Sequence, residues 1–142
     1  RRSGPCTPRE EFSQPPELAT LSLGSPDAPR LYALRCELRA VEGKDLEGAL
    51  SDCNTALIFD ARSARALTGR AVVYYRKDEP EAAMKDVQAA LAINDPLSGA
   101  LFLRGVLRAQ AGDDASAYAD FLAARTTTRD VAEDFTTFGI AP

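Results

Sequence analysis

The chain has 142 residues, a net charge of −4 and no histidine. That length fits one domain with a buried core, and the missing histidine removes His-based acid–base, nucleophilic and zinc chemistry. Scattered basic residues and a pI near 4.9 give no footprint for nucleic acid, and no run approaches the ~18 apolar residues of a membrane span.

Residues 1–28 come first and hold five of the nine prolines, in "GPCTPREEFSQPPELATLSLGSP" (4–26). This composition predicts an irregular arm with a short helical turn around Glu17–Leu21. The chain opens Arg-Arg-Ser without an initiator Met. A natural N-terminus that was lost, processed or trimmed is expected, so an upstream signal peptide is not ruled out, and periplasm and cytoplasm both stay open. Cys6, in this arm, is expected to be exposed, and "SGPC" lacks the leucine of a bacterial lipobox.

From residue 29 the chain repeats itself. "ADFLAAR" (119–125) returns 34 residues earlier as "KDVQAAL" (85–91) and again as "SDCNTAL" (51–57). Asp52, Asp86 and Asp120 share a column, as do Ala49, Ala83 and Ala117, and Cys53, Val87 and Phe121. The preceding stretches "YALRCELRAVEGK" (32–44), "LTGRAVVYYRKDE" (67–79) and "LFLRGVLRAQAGD" (101–113) also match. Arg35, Arg70 and Arg104 fall in register there, each followed by a small residue, Cys36, Ala71 or Gly105. The first unit needs one extra residue, in the turn "GKDLEG" (43–48). Ala49, Cys53 and Ala56 lie on one helical face, and the other units repeat this, so each unit reads as helix–turn–helix. Pro80 suits a first turn capped by Asp78 or Glu79, and Pro96 would end the helix before it. "GDD" (112–114) reads as the turn plus the helix cap.

After the last unit, "TTTRDVAEDFTTFGIAP" (126–142) predicts a further helix, capped by Thr127 or Thr128 and stopped by Gly139. Val131, Phe135 and Phe138 would cover the open end of the array.

The repeat resembles the tetratricopeptide repeat, a 34-residue helix–turn–helix unit. The match rests on the small residue in each first helix, the alanines and aromatic or aliphatic residue of each second helix, and "NDP" (94–96). Tyr32, Leu67 and Leu101 replace the family's early aromatic, and "FDARS" (59–63) lacks its terminal proline. The resemblance implies an all-α, right-handed superhelical α-solenoid. Its three units would span 29–63, 64–97 and 98–126, followed by a capping helix and tail over 127–142. It points to a bacterial protein.

The resemblance also implies a concave face lined by the first helix of each unit. Arg30, Leu34 and Glu37 would contribute from the first, and Arg65, Thr68, Val72, Tyr75 and Arg76 from the second. The third would add Phe102, Val106 and Gln110. Leu34, Val72, Tyr75, Phe102 and Val106 would form an apolar floor with an arginine rim, fit for a peptide or helix of a partner protein. The same residues could instead pack on one another or beneath the N-terminal arm. Family members that grip a C-terminal carboxylate use Lys, Asn and Arg at positions held here by Ala33, Glu37, Gly69, Gly99 and Leu103, so that specificity is not expected.

The Arg35/Arg70/Arg104 and Asp52/Asp86/Asp120 columns invite a ligand reading, but a site is needed once and a structural role recurs. They are expected to pair between helices, as exposed bridges worth at most about 1 kcal/mol each. Cys36 and Cys53 face each other in the first unit and are expected as small buried thiols, with a disulfide as the alternative in an oxidising compartment. The cysteines are too far apart for a CxxC pair, neither "GDD" nor "GKD" (43–45) supplies a calcium loop, and no phosphate-binding glycine motif occurs. No catalytic residue, metal or cofactor is therefore expected. The function expected is a non-catalytic binding module, a monomer or weak dimer. A dedicated chaperone or assembly factor of a bacterial secretion or envelope system is the first alternative, and an accessory domain of a larger protein the second.

Overall fold

A computed structural model describes residues 25–94, 97–128, 135–136 and 139–142. The predicted turn at Glu17–Leu21, Cys6, Pro96, Val131 and Phe138 lie outside them. Among the described residues the fold is all-helical, with six helices and no strand. They are α1 (Ala28–Glu42), α2 (Leu46–Phe59), α3 (Ala64–Arg76), α4 (Pro80–Ile93), α5 (Ser98–Gln110) and α6 (Asp114–Thr127).

The helices pack as pairs, α1 with α2, α3 with α4 and α5 with α6. Each pair meets at complementary volumes. Cys36 faces Cys53 and Gly105 faces Phe121, and the same two columns of the second pair hold Ala71 and Val87, both fully buried. A Cβ at Gly105 would lie 2.6 Å from Phe121 Cε1, so the small residue is required by the ring across from it. Ala49, Ala83, Ala90, Val87 and Leu91 continue the buried core through the second helices. The alanines let neighbouring backbones approach closely and lose almost no side-chain entropy on burial.

The turns explain the extra residue of the first unit. In the second and third pairs the first helix ends in matching backbone bonds. Asp78 N–H donates to Tyr75 C=O and Glu79 N–H to Tyr74 C=O, while Gly112 N–H donates to Ala109 C=O and Asp113 N–H to Arg108 C=O. The left-handed position of this stop is Asp78 (φ 61°) in one and Gly112 (φ 86°) in the other. In the first pair Gly43 (φ 74°) takes that position but bonds Arg39 C=O instead, and Lys44 is then added before the cap Asp45. Asp45 and Asp113 cap α2 and α6 through Gly48 N–H and Ser116 N–H. Glu79 takes the expected cap position of α4, before Pro80, but makes no side-chain capping bond. Asp78 carries a left-handed conformation that the other two units give to glycine. Asp78→Gly is expected to raise the unfolding free energy by about 0.5–1 kcal/mol, read from urea titration.

Thr127 is the last residue of α6, and its hydroxyl donates to Ala123 C=O; most of the further helix expected after it lies at 129–134, outside the described residues. At the C-terminus, Gly139 (φ 79°) donates to Thr136 C=O and Ile140 N–H to Phe135 C=O, the paired bonds of a Schellman stop. Gly139 thus stops a turn of helix as its sequence position foretold.

Candidate functional site

Three ion-pair clusters tie the helix pairs together. Asp52 accepts from Arg35 Nη2 at 2.6 Å and Arg39 Nη1 at 2.9 Å. Asp86 accepts from Arg70 Nε at 2.7 Å and Nη2 at 2.9 Å. Asp120 accepts from Arg104 Nη2 and Arg108 Nη1, both at 2.7 Å. The three aspartates are only 3–4% exposed. The expected pairing holds, but the bridges are buried and mostly bidentate rather than exposed. Hydrogen bonding to the carboxylate raises Arg35 and Arg70 above their ordinary pKa, with burial opposing. The guanidiniums also lie over Tyr32 and Tyr74, 5.3 and 5.9 Å from the ring centroids. These columns are scaffold.

The two cysteines form a Cys36–Cys53 disulfide, which corrects the expectation of free thiols. Both are fully buried, and the bond joins α1 to α2 where the other pairs rely on van der Waals contact.

The sequence-expected groove residues divide into three groups. Arg30, Leu34, Glu37 and Arg65 remain accessible on α1 and α3. Arg30, Leu34 and Arg65, with Leu31 and Ala33, line an open cleft of about 540 Å³ between the starts of those helices. Arg65 Nε stands 3.5 Å from Glu37 Oε2, with its side chain 54% exposed.

Thr68, Val72, Phe102 and Val106 do not form an open floor; each is at most 4% exposed. The reason is the C-terminal segment. α3 packs along α1 but barely touches α5, and Phe135 sits at the gap. Its ring packs tilted against Phe102, with centroids 5.3 Å apart. A Cβ at Gly99 of α5 would lie 3.4 Å from Phe135 Cζ and 3.8 Å from Thr68 Cγ2 of α3. Ile140 is fully buried in the same core, and Gly139 lines a cleft with Tyr75 and Gln110. Gln110 Nε2 donates to Tyr75 Oη at 3.3 Å across that cleft. Among the described residues, Phe135 and Ile140 of the chain's own C-terminal segment cover the expected floor at α3 and α5. Phe135 was expected over the open end of the array and instead lies against α5 at this gap.

Arg76 is not a rim residue. Its Nε donates to Ala40 C=O at 2.8 Å and its Nη2 to Val41 C=O, so it satisfies the last carbonyls of α1. Burial holds its guanidinium below the ordinary pKa.

Burial raises the Glu37 carboxyl above its ordinary range, and Arg65 only partly offsets this. A carboxyl whose folded pKa exceeds its unfolded one binds more protons folded. Stability is therefore greatest with the group protonated and falls as pH rises through the folded pKa. Glu37→Gln is expected to raise the melting temperature at neutral pH and leave it unchanged well below pH 4. The gain stays within about 1 kcal/mol because the side chain is 37% exposed.

Among the described residues no group of three or more His, Cys, Asp or Glu is placed to hold a metal ion, and no helix is long and apolar enough to cross a membrane. Neither protein-family models nor curated proteins match this chain.

Proposed function

We propose that the chain is a three-unit tetratricopeptide-type α-solenoid and a non-catalytic protein-binding module. Its partner seat is the cleft between α1 and α3. The observation that carries this reading is the contrast between two stretches of one face. At α3 and α5 it is filled by Phe135 and Ile140, whereas among the described residues a cleft of about 540 Å³ lies open at α1 and α3. There Leu31, Leu34 and Ala33 offer apolar contact, and Arg30 and Arg65 flank them with exposed positive charge. A short segment that pairs an apolar side chain with a carboxylate fits this chemistry, since it could take Arg65 from its weak bridge to Glu37.

A photocrosslinking amino acid at Leu34, in the native host, is expected to capture a defined partner. Arg30→Glu/Arg65→Glu should abolish the capture at an unchanged melting temperature. Arg76→Glu serves as the contrast: it removes two charge-assisted bonds and should cost about 2–4 kcal/mol of stability. Equal capture from a crosslinker at Ile58, which is 83% exposed and far along the sequence, would overturn the assignment.

The Cys36–Cys53 disulfide favours one narrower reading. Disulfides persist in oxidising compartments, which fits a dedicated chaperone or assembly factor of a bacterial envelope or secretion system.

A further inference from the structure

Ala115, Tyr118, Ala119 and Leu122 form an exposed strip along α6, with Tyr118 70% and Leu122 51% exposed. The repeat says what such a strip is for. One period earlier the same positions on α4 are Glu81, Met84, Lys85 and Gln88, which line a cleft against Leu107 of α5 and Ala111 just beyond its end. Two periods earlier, on α2, Glu47 bonds Lys77 at the end of α3 and Asn54 accepts from Arg70. At these positions each second helix borders the next first helix without being covered by it, since Glu47, Ser51, Asn54, Glu81, Lys85 and Gln88 stay exposed and Leu50 and Met84 are half-buried. On α6 no further described helix stands there.

Its composition runs against an end exposed to water. The terminal unit of a repeat array needs a polar outer face. Here the open strip is Ala, Tyr, Ala and Leu, more apolar than the Glu, Met, Lys and Gln used where a neighbour is present. A helix belongs on it.

We infer that this helix is α6 of a second copy, packed antiparallel about a two-fold axis. The strip begins at Asp114 and ends at Arg125, both exposed and in line with Tyr118 and Leu122 at helical spacings of four, four and three. An isologous contact must be self-complementary. Antiparallel pairing centred on the strip sets Tyr118 against Leu122 of the second copy and Asp114 against its Arg125, so both the apolar and the charged positions match. A 14-residue helix offers a face about 21 Å long. With a helix about 10 Å across, that face is about 200 Å², short of the about 800 Å² per partner of a standard interface, so the dimer is weak and concentration-dependent. This inference is independent of the α1–α3 cleft, since the two surfaces share no residue.

Sedimentation velocity on the full chain carrying Cys6→Ser is expected to show a reversible monomer–dimer equilibrium. Tyr118→Glu/Leu122→Glu should be monomeric at every concentration with an unchanged melting temperature, since both side chains are more than half exposed. Asp114→Arg should weaken the dimer at least tenfold, and adding Arg125→Asp should restore it. Ala119→Cys, close to the axis, should give a disulfide-linked dimer on oxidation, whereas Ser51→Cys at the equivalent place on α2 should not. A monomer throughout, growth beyond the dimer, or a dimer that survives the double glutamate variant would each overturn the inference.

Discussion

Asp52→Ala is expected to lower the unfolding free energy by about 3–5 kcal/mol, the largest effect of any single substitution discussed. The cost arises from what is left behind. Arg35 has a side chain only 10% exposed, and its bonds to the carboxylate are 2.6 and 2.7 Å long. Without Asp52 its guanidinium loses its counter-charge while remaining largely dehydrated, and Arg39 loses the same partner. Asp86→Ala and Asp120→Ala should cost less, because Arg70 and Arg104 are 25% and 23% exposed and can recover hydration. Urea unfolding of the three variants side by side tests the order. Arg35→Met/Asp52→Leu should recover a substantial part of the loss, since replacing a buried pair by apolar groups is far less costly than orphaning one charge. Equal losses at all three aspartates would show that burial of the arginine does not set the cost.

The second large effect belongs to the disulfide. Removing it by Cys36→Ala/Cys53→Val should cost about 3 kcal/mol, the value expected when the closed loop is near 15 residues, and here the separation is 17. This double variant is the cleanest probe because it installs the Ala71/Val87 pair of the second unit at the same columns. Packing is thereby preserved and the loss reports the cross-link. Reductant should lower the melting temperature of the wild-type chain and leave the variant untouched. A variant as stable as the wild type would mean that the cross-link contributes nothing beyond the volume it fills.

The helical fold was legible because it is written three times. The recurrence of Arg35, Arg70 and Arg104 against Asp52, Asp86 and Asp120 placed six helices and anticipated which would pair. Burial of those pairs was harder to read, because a column shows which residues recur and says nothing of how much water their neighbours exclude. Arg76 looked like a rim residue from its position on α3, yet its guanidinium reaches carbonyls 35 and 36 residues earlier. Val72, Phe102 and Val106 lie on the expected face, and their closure depends on Phe135 and Ile140, which belong to no repeat. The signal was present in a weak form: Val131, Phe135, Phe138 and Ile140 set large apolar residues among the polar ones of the tail, around the Gly139 stop. Facing columns put Cys36 opposite Cys53, but whether two such thiols join depends on oxidation, which spacing alone does not reveal.

The matched volumes between paired helices set a rule for recombination. Each first helix carries a complement to one particular second helix: Cys36 to Cys53, Ala71 to Val87, Gly105 to Phe121. Transplanting α5 onto α2 would face Gly105 with Cys53 and leave a void, whereas joining α1 to α6 would drive Cys36 into the space of the Phe121 ring. Moving a whole pair keeps the match. The heritable unit of this array is therefore the pair, and a library that shuffles single helices should yield folded chains far less often than one that shuffles pairs.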